Sequence, residues 1–164
     1  MDEVTRFLPY DTWRVSADGV AWYERMLGLQ AAGSALQLVI TEREANIAIG
    51  SFLVFNIDRT HRRAEIGYVL GRAWWGRGFL REALGAMQTW AFETQQAHRL
   101  EATIDPRNTR SANVLTACGF VPEGLQRSRW CNKGQWQDSA LFGCLREEWA
   151  RQAHANAASL PAQG

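Results

Sequence analysis

The sequence predicts an α/β (α+β) fold, a mixed central sheet flanked by helices, and three observations carry that expectation. Two β-branched and apolar runs, residues 35–41 and 47–57, are separated by the polar stretch Glu42-Arg43-Glu44-Ala45-Asn46, the pattern of two antiparallel strands and a turn. A strand-like run at 64–70, an amphipathic stretch at 78–96 and a short strand-like run at 99–104 then follow in an order and at a crossover length that place two parallel strands side by side. Finally, runs at 120–131 and 136–145 meet through Asn132-Lys133-Gly134, a hairpin signal.

The elements justify themselves in order. Residues 12–30 read as helical because Trp13, Val20, Trp22, Met26, Leu27 and Leu29 recur among polar residues, although Gly19 weakens the pattern. After the first hairpin, 58–63 is a polar connection, and the third strand, AEIGYVL, ends at Gly71. Over 78–96 the apolar Leu80, Ala83, Leu84, Met87 and Ala91 keep helical spacing while Arg81, Glu82, Gln88, Gln95 and Gln96 lie mostly elsewhere, which makes this the best amphipathic helix. Asp105-Pro106 closes the strand after it. Residues 109–118 form a second helix with Gly119 as its stop. REEWARQAHANAAS can be a further helix and LPAQG a frayed end. No internal repeat and no linker divides the chain.

Composition narrows the function classes. The 164 residues carry 18 Lys and Arg against 17 Asp and Glu, a net charge of +1 that argues against a generally basic nucleic-acid binder. Apolar residues at 46% and charged residues at 21% are ordinary for a globular domain and exclude a disordered or collagen-like chain. No apolar stretch approaches membrane-spanning length, and MDEVTRF has acids where a secretory leader has basic residues, so the expected location is cytoplasmic, with no membrane partner. Cys118, Cys131 and Cys144 contain no CxxC, and His61, His98 and His154 are scattered, so neither a disulfide framework nor a metal site is expected.

The chemical centre is Tyr68-Val69-Leu70-Gly71-Arg72-Ala73-Trp74-Trp75-Gly76-Arg77-Gly78-Phe79-Leu80-Arg81, where a strand runs through a glycine loop into the long helix. Glycines allow close backbone approach, and the free N–H groups of a first helical turn suit phosphate oxygens; Arg72, Arg77 and Arg81 add positive charge. The Gly-Lys-Ser/Thr of a P-loop is absent, and Gly76 and Gly78 are followed by Arg81 where a dinucleotide fingerprint has a third glycine. Spacing alone leaves open whether the loop is an anion site or only a tight strand-to-helix turn.

Taken with Glu65-Ile66-Gly67-Tyr68-Val69-Leu70, Asn108-Thr109-Arg110-Ser111-Ala112-Asn113 and Cys118-Gly119-Phe120, this loop resembles the GNAT superfamily of N-acetyltransferases, and within it the RimJ/RimL-like group that acetylates N-termini of ribosomal proteins. The resemblance spans roughly residues 4–149. It implies a three-layer fold in which the strands at 64–70 and 99–104 splay apart to admit acetyl-CoA. The diphosphate would lie on backbone amides of Trp75, Gly76, Arg77, Gly78, Phe79, Leu80 and Arg81. The pantetheine arm would pair with Val69 and Leu70 beside Tyr68, lined by Asn108 and Ser111. From the residues alone, Asn108 reads equally as a helix cap.

The same resemblance frames the domain and its departures. Residues 1–149 would be the acetyltransferase domain, without the first strand and helix that relatives have, and 150–164 a C-terminal tail, possible as helix. Either the chain is truncated there, or the exposed sheet edge is covered by that tail or by a second copy of the chain, which would make a homodimer; the residues leave the oligomeric state open. Trp75 stands where the superfamily usually has Gln or Arg, and Leu80 where it has Gly or Ala. Leu115 stands where many relatives carry the tyrosine that serves as general acid.

An amine attacks a thioester only as the free base, so the reaction needs a proton acceptor. Glu65 and Glu101 match positions where superfamily members hold one, with an ion pair to Arg62, Arg63 or Arg99 as the structural alternative for each. A backbone N–H near Leu70 is the candidate oxyanion donor, and Ser111 the candidate proton donor to the leaving thiolate. Cys118 reads as a core thiol. For the acceptor, Tyr10, Trp13, Trp22, Tyr23, Trp130 and Trp136 are candidates for an aromatic rim, with Arg127, Arg129 and Asp138 as charged contacts. The leading expectation is acetyl transfer from acetyl-CoA to a peptide N-terminus or small amine by direct attack in a ternary complex. The alternatives are acetylation of an amine antibiotic and a CoA-binding or regulatory module without turnover.

Overall fold

The structure is a computed structural model and describes residues 2–10 and 12–158. Five helices and six strands follow in the order α1 (Asp2–Thr5), α2 (Ser16–Ala31), β1 (Ala35–Glu42), β2 (Ile47–Asp58), β3 (Arg63–Leu70), α3 (Phe79–Thr89), β4 (Arg99–Ile104), α4 (Thr109–Ala117), β5 (Val121–Asn132), β6 (Gln135–Leu145) and α5 (Arg146–Ala158). The helical run that the sequence placed at 78–96 is α-helical to Thr89 and then widens into a π-helical turn, Trp90–Thr94. Residues 160–164, read as a frayed end, lie outside the described residues.

Local chemistry sets the element boundaries. The Asp18 carboxylate accepts from the backbone N–H groups of Arg14 and Val15, which moves the start of α2 past Trp13 to Ser16. Glu42 does the same for the β1–β2 turn, accepting from the N–H groups of Glu44 and Ala45. Asp58 holds the β2–β3 turn through the N–H of His61. Lys133 and Gly134, at φ of 52° and 76°, make the two-residue hairpin between β5 and β6.

The six strands form one mixed sheet in the order β1-β2-β3-β4-β6-β5. Only β3 and β4 run parallel, as the crossover through α3 requires; every other neighbouring pair is antiparallel. Insertion of β6 between β4 and β5 makes β5 an edge, and β1 is the other.

One face of the sheet is the core. Phe52, Val54, Ile66, Leu70, Leu100 and Ala102 pack there against Leu84, Met87 and Phe92 of the α3 region and Leu115 of α4, with Phe92 and Leu115 fully buried. Burial of side chains this size contributes about 1.5–3 kcal/mol each. Gln88 is buried in α3 and donates to the Cys118 carbonyl, which ties α3 to the end of α4. The C-terminal helix docks on this layer: the Trp149 ring lies 5.3 Å from that of Phe92. Its described residues therefore pack beside β6 and not on the β1 edge, for which the tail was one of two expected covers; α2 packs against β1.

Candidate active site

The parallel pair comes apart where the chemistry is expected. Residues Arg63, Ala64 and Glu65 pair with Arg99, Leu100 and Glu101, and there the ladder between β3 and β4 stops. Each strand continues against its other neighbour: β3 pairs with β2 up to Leu70, and β4 with β6 up to Ile104. The inner edges of 66–70 and 102–104 face a gap instead of each other. Backbone polar groups left in this way call for a partner, and an extended ligand with amides can act as a strand there.

Above the gap, β3 passes through a 3₁₀ turn, Arg72–Trp74, into the glycine loop. Gly76 and Gly78 take φ of 73° and 86°, values that L side chains rarely adopt, and a Cβ placed on either would meet no atom within 4 Å. The first α3 bond runs from the Glu82 N–H to the Gly78 carbonyl at 3.1 Å, and no side chain caps the helix. Preceding N–H groups of the first turn, including those of Leu80 and Arg81, are therefore unanswered from within the helix. An open, glycine-shaped cradle with donors pointing into it fits a diphosphate.

Aromatic and cationic side chains brace this loop. The Trp75 indole N–H donates to the Leu70 carbonyl at 2.7 Å, and the guanidiniums of Arg72 and Arg110 lie 5.5 and 4.8 Å from its ring centroid. Both arginines also pair with Glu3, the second at 3.6 Å. Arg77 stacks on the rings of Trp74 and Phe79 at 4.8 and 5.1 Å. Arg77 and Phe79, expected at the site, do not line the cleft, because their side chains are committed to each other and to Trp74; only their backbone remains to contribute. Tyr68, Val69, Leu70, Trp75, Gly76, Gly78, Leu80, Arg81, Asn108 and Ser111 all line it.

Below the gap lies a ladder of charge. Glu101 accepts from Arg99 Nε at 2.8 Å and from an Arg63 terminal nitrogen at 3.3 Å, so both of its oxygens are taken by guanidiniums. Arg99 reaches on to Glu123 with two further bonds, one of 2.8 Å, and Arg63 reaches Asp58 at 3.6 Å. Gly143 makes this possible: a Cβ there would sit 2.6 Å from the Arg99 guanidinium and 2.5 Å from a Glu123 oxygen. Arg99 holds the Glu123 carboxyl below its ordinary pKa, while the Glu123 carboxylate, ahead of Glu101, pushes that of Arg99 up. Glu65, the register partner of Glu101, differs: among the described residues it accepts from Asn56 Nδ2 at 2.9 Å and pairs with no arginine.

A hydroxyl pair joins the two sides of the gap. Tyr68 Oη and Ser111 Oγ are 2.7 Å apart, and the Tyr68 ring stands edge-on to Phe52. Ser111 is buried, and its backbone N–H donates to Asn108 Oδ1 at 3.2 Å, so Asn108 does cap α4. Burial pushes the Tyr68 phenol up to about 12. Burial also raises the Cys118 thiol, as befits a core residue. Among the rim candidates, Tyr10, Trp22, Trp130, Arg129 and Asp138 line the cleft, whereas Trp13, Tyr23, Trp136 and Arg127 do not. Trp13 instead serves the N-terminal segment, packed between the rings of Tyr10 and Trp22. Sequence reasoning missed Asn56, Asp58 and Glu123; the strand alternation of Arg99 and Glu101 was the one hint that charges share that face. Among the described residues no cluster of His, Cys, Asp or Glu could hold a metal ion.

Comparison with known proteins agrees with this geometry. The profile described as acetyltransferase (GNAT) domain matches residues 1–121. The uncharacterized N-acetyltransferase p20 of Bacillus licheniformis is 32% identical over 148 residues, which cover 90% of this chain and 83% of that protein. The ribosomal protein uS5-alanine N-acetyltransferase of Escherichia coli is 31% identical over 118 residues, 71% of this chain and 61% of its own length. The crystal structure of the ribosomal-protein-S5-alanine acetyltransferase from Vibrio fischeri superimposes with a TM-score of 0.75 at 29% identity, covering 90% of this chain and 85% of that one.

Proposed function

The chain belongs to the GNAT acetyltransferase family and is an N-acetyltransferase that moves an acetyl group to an amine, and on that premise we propose that it takes acetyl-CoA as co-substrate and a polypeptide N-terminus as acceptor. The observation that carries the reading is the parting of β3 and β4 after Glu65 and Glu101, directly below the glycine loop. The cleft measures about 2180 Å³ and is walled by residues from the N-terminal segment, all six strands and the helices α2, α3 and α4. Small-molecule pockets hold about 300–1,000 Å³, so this one has room for a co-substrate and an extended acceptor together. The relatives that act on a ribosomal-protein alanine favour the same choice.

The roles follow from what each residue is free to do. Acetyl-CoA supplies an activated thioester. The N–H groups of the Gly76–Arg81 turn hold its diphosphate, and the inner edge of Val69 and Leu70 pairs with its amide arm. Trp75 and Ile49 together fix the Leu70–Gly71 peptide group, the first through its carbonyl and the second through its N–H, which leaves the Leu70 N–H, on the inner edge, as the oxyanion donor. Glu65 takes the proton from the acceptor ammonium, directly or through water, because its oxygens are not tied up by arginine. Glu101 is instead an anchor for Arg63 and Arg99. Ser111 gives a proton to the departing sulfur. The amine attacks directly, so no covalent enzyme intermediate forms.

Two further parts belong to the proposal. Three free thiols, with Cys131 exposed, suit the reducing cytoplasm. The β1 edge, with Leu38 and Val39 exposed, suits a homodimer, which light scattering would measure. Calorimetry with acetyl-CoA, followed by thiol release in the same sample, tests the whole. Binding with faster release for N-terminal peptides than for polyamines or aminoglycosides is the expected outcome. Turnover of small amines alone would overturn the peptide acceptor, and absence of binding would overturn the co-substrate.

A further inference from the structure

Position 115 carries leucine, fully buried in the core, so α4 presents no tyrosine to the cleft, and the hydroxyl it does present near β3 is that of Ser111. Two contacts define that serine. Its backbone is pinned by the Asn108 cap, and its Oγ lies 2.7 Å from Tyr68 Oη, a residue 43 positions earlier on a different element. With the backbone held, the orientation of the O–H bond is the freedom that remains, and a hydroxyl within hydrogen-bond distance sets it.

We propose that Tyr68 is a positioning residue: its O–H donates to Ser111 Oγ and thereby turns the Ser111 proton into the cleft, toward the sulfur of the leaving thiolate. The inference rests on the co-substrate reading above. The Tyr68 hydroxyl is part-buried beside α4, and among the described residues Ser111 Oγ is the hydrogen-bond partner that the structure gives it. Desolvation, which outweighs the opposing effect of the Ser111 hydrogen bond, pushes the phenol up to about 12, so Tyr68 keeps its proton through the reaction. In the step itself the nitrogen–carbon bond forms and the carbon–sulfur bond breaks, the electron pair stays on sulfur, and sulfur takes the Ser111 proton. The serine oxygen regains a proton, through cleft water, from the nitrogen that became cationic on attack. Tyr68 begins and ends protonated, so no oxidant, reductant or further acid is required.

Tyr68→Phe, Ser111→Ala, the double variant and Ser111→Thr test this, each checked first for an unchanged melting transition. Expected turnover losses are about 100-fold for Ser111→Ala, at the low end of what a proton donor supplies, and about 10-fold for Tyr68→Phe, which acts only through the serine. The double variant is expected to match Ser111→Ala, and Ser111→Thr to retain most activity. A readout independent of turnover is calorimetric affinity for CoA against desulfo-CoA at pH 9, where much thiol is ionised: wild type prefers CoA, and the preference disappears in both single variants. Tyr68→Phe costing the same factor with and without Ser111, or keeping wild-type turnover and wild-type preference, would overturn the proposal. Failure of wild type to bind acetyl-CoA would instead remove the co-substrate reading, and the inference with it.

Discussion

The two halves of the β3–β4 pair are built in opposite ways. In the closed half, residues 63–65 and 99–101, backbone groups pair across the strands, and Arg63 and Arg99 are paired with the carboxylates of Glu101, Asp58 and Glu123. In the open half, beyond Glu65 and Glu101, the facing backbone edges have no strand partner and the side chains that meet are hydroxyls and aromatics. The comparison teaches how one sheet separates rigidity from chemistry. Ion pairs and ladder bonds hold the base of the splay, and the backbone just above it, parted from the facing strand, is where we propose that the co-substrate arm pairs. Glu65 sits at the junction, in the ladder by its backbone and outside the ion-pair network by its carboxylate.

The largest expected effect comes from attacking the open half. Gly78→Glu combines a side chain at φ of 86° with an anion at the α3 N-terminus, and should weaken acetyl-CoA binding by at least about 100-fold, equivalent to about 2.7 kcal/mol. Calorimetry on a variant with an intact melting transition checks it, and near-unchanged affinity would end the phosphate assignment.

The junction comes next and distinguishes the two glutamates. Glu65→Gln should lower turnover by about 100-fold with acetyl-CoA affinity unchanged, as expected for loss of a general base, whereas Glu101→Gln should lower it by less than about 10-fold. Steady-state rates of both variants decide the matter; the reverse order would make Glu101 the base and the ladder a tuning device.

Smaller effects belong to the closed half. Gly143→Ala pushes a methyl into the Arg99–Glu123 pair and should cost about 1–2 kcal/mol, read by calorimetry as a melting temperature lower by about 2–8 °C. The smallest effect is in pH. Glu123 has its folded pKa depressed by Arg99 from an ordinary value of 4.5, so its contribution to stability is present above that value and lost as pH falls through it toward the depressed one. Melting curves of Arg99→Met should therefore fall less steeply than wild type between neutral and acid pH. Parallel acid limbs would show that the pair contributes little.

Much of the fold was legible because its signals are local. The period-2 runs, the glycine loop entering the best amphipathic helix, and Gly119, which takes φ of 82°, each specify a conformation within a few residues, and each stands where the pattern put it. The Asn108 cap is local too, three residues from its partner. The limits lay where local and distant demands compete. Trp13 fits a helical period, yet it lies outside α2 because Asp18 caps the helix two residues later and the ring packs between its aromatic neighbours. Arg77 has the right charge for a phosphate site, yet its guanidinium rests on Trp74 and Phe79.

The sequence by itself determined the elements, their order, the parallel crossover and the loop that shapes an anion cradle, because each depends on backbone conformation and burial period over a short stretch of chain. Only the tertiary structure decided which glutamate is tied to arginines and which two hydroxyls meet. Arg63 meets Glu101 across 38 residues, Arg99 meets Glu123 across 24, and Tyr68 meets Ser111 across 43. Such pairings depend on strand register and on the position of β6 beside β4, and no period within a single segment carries that information.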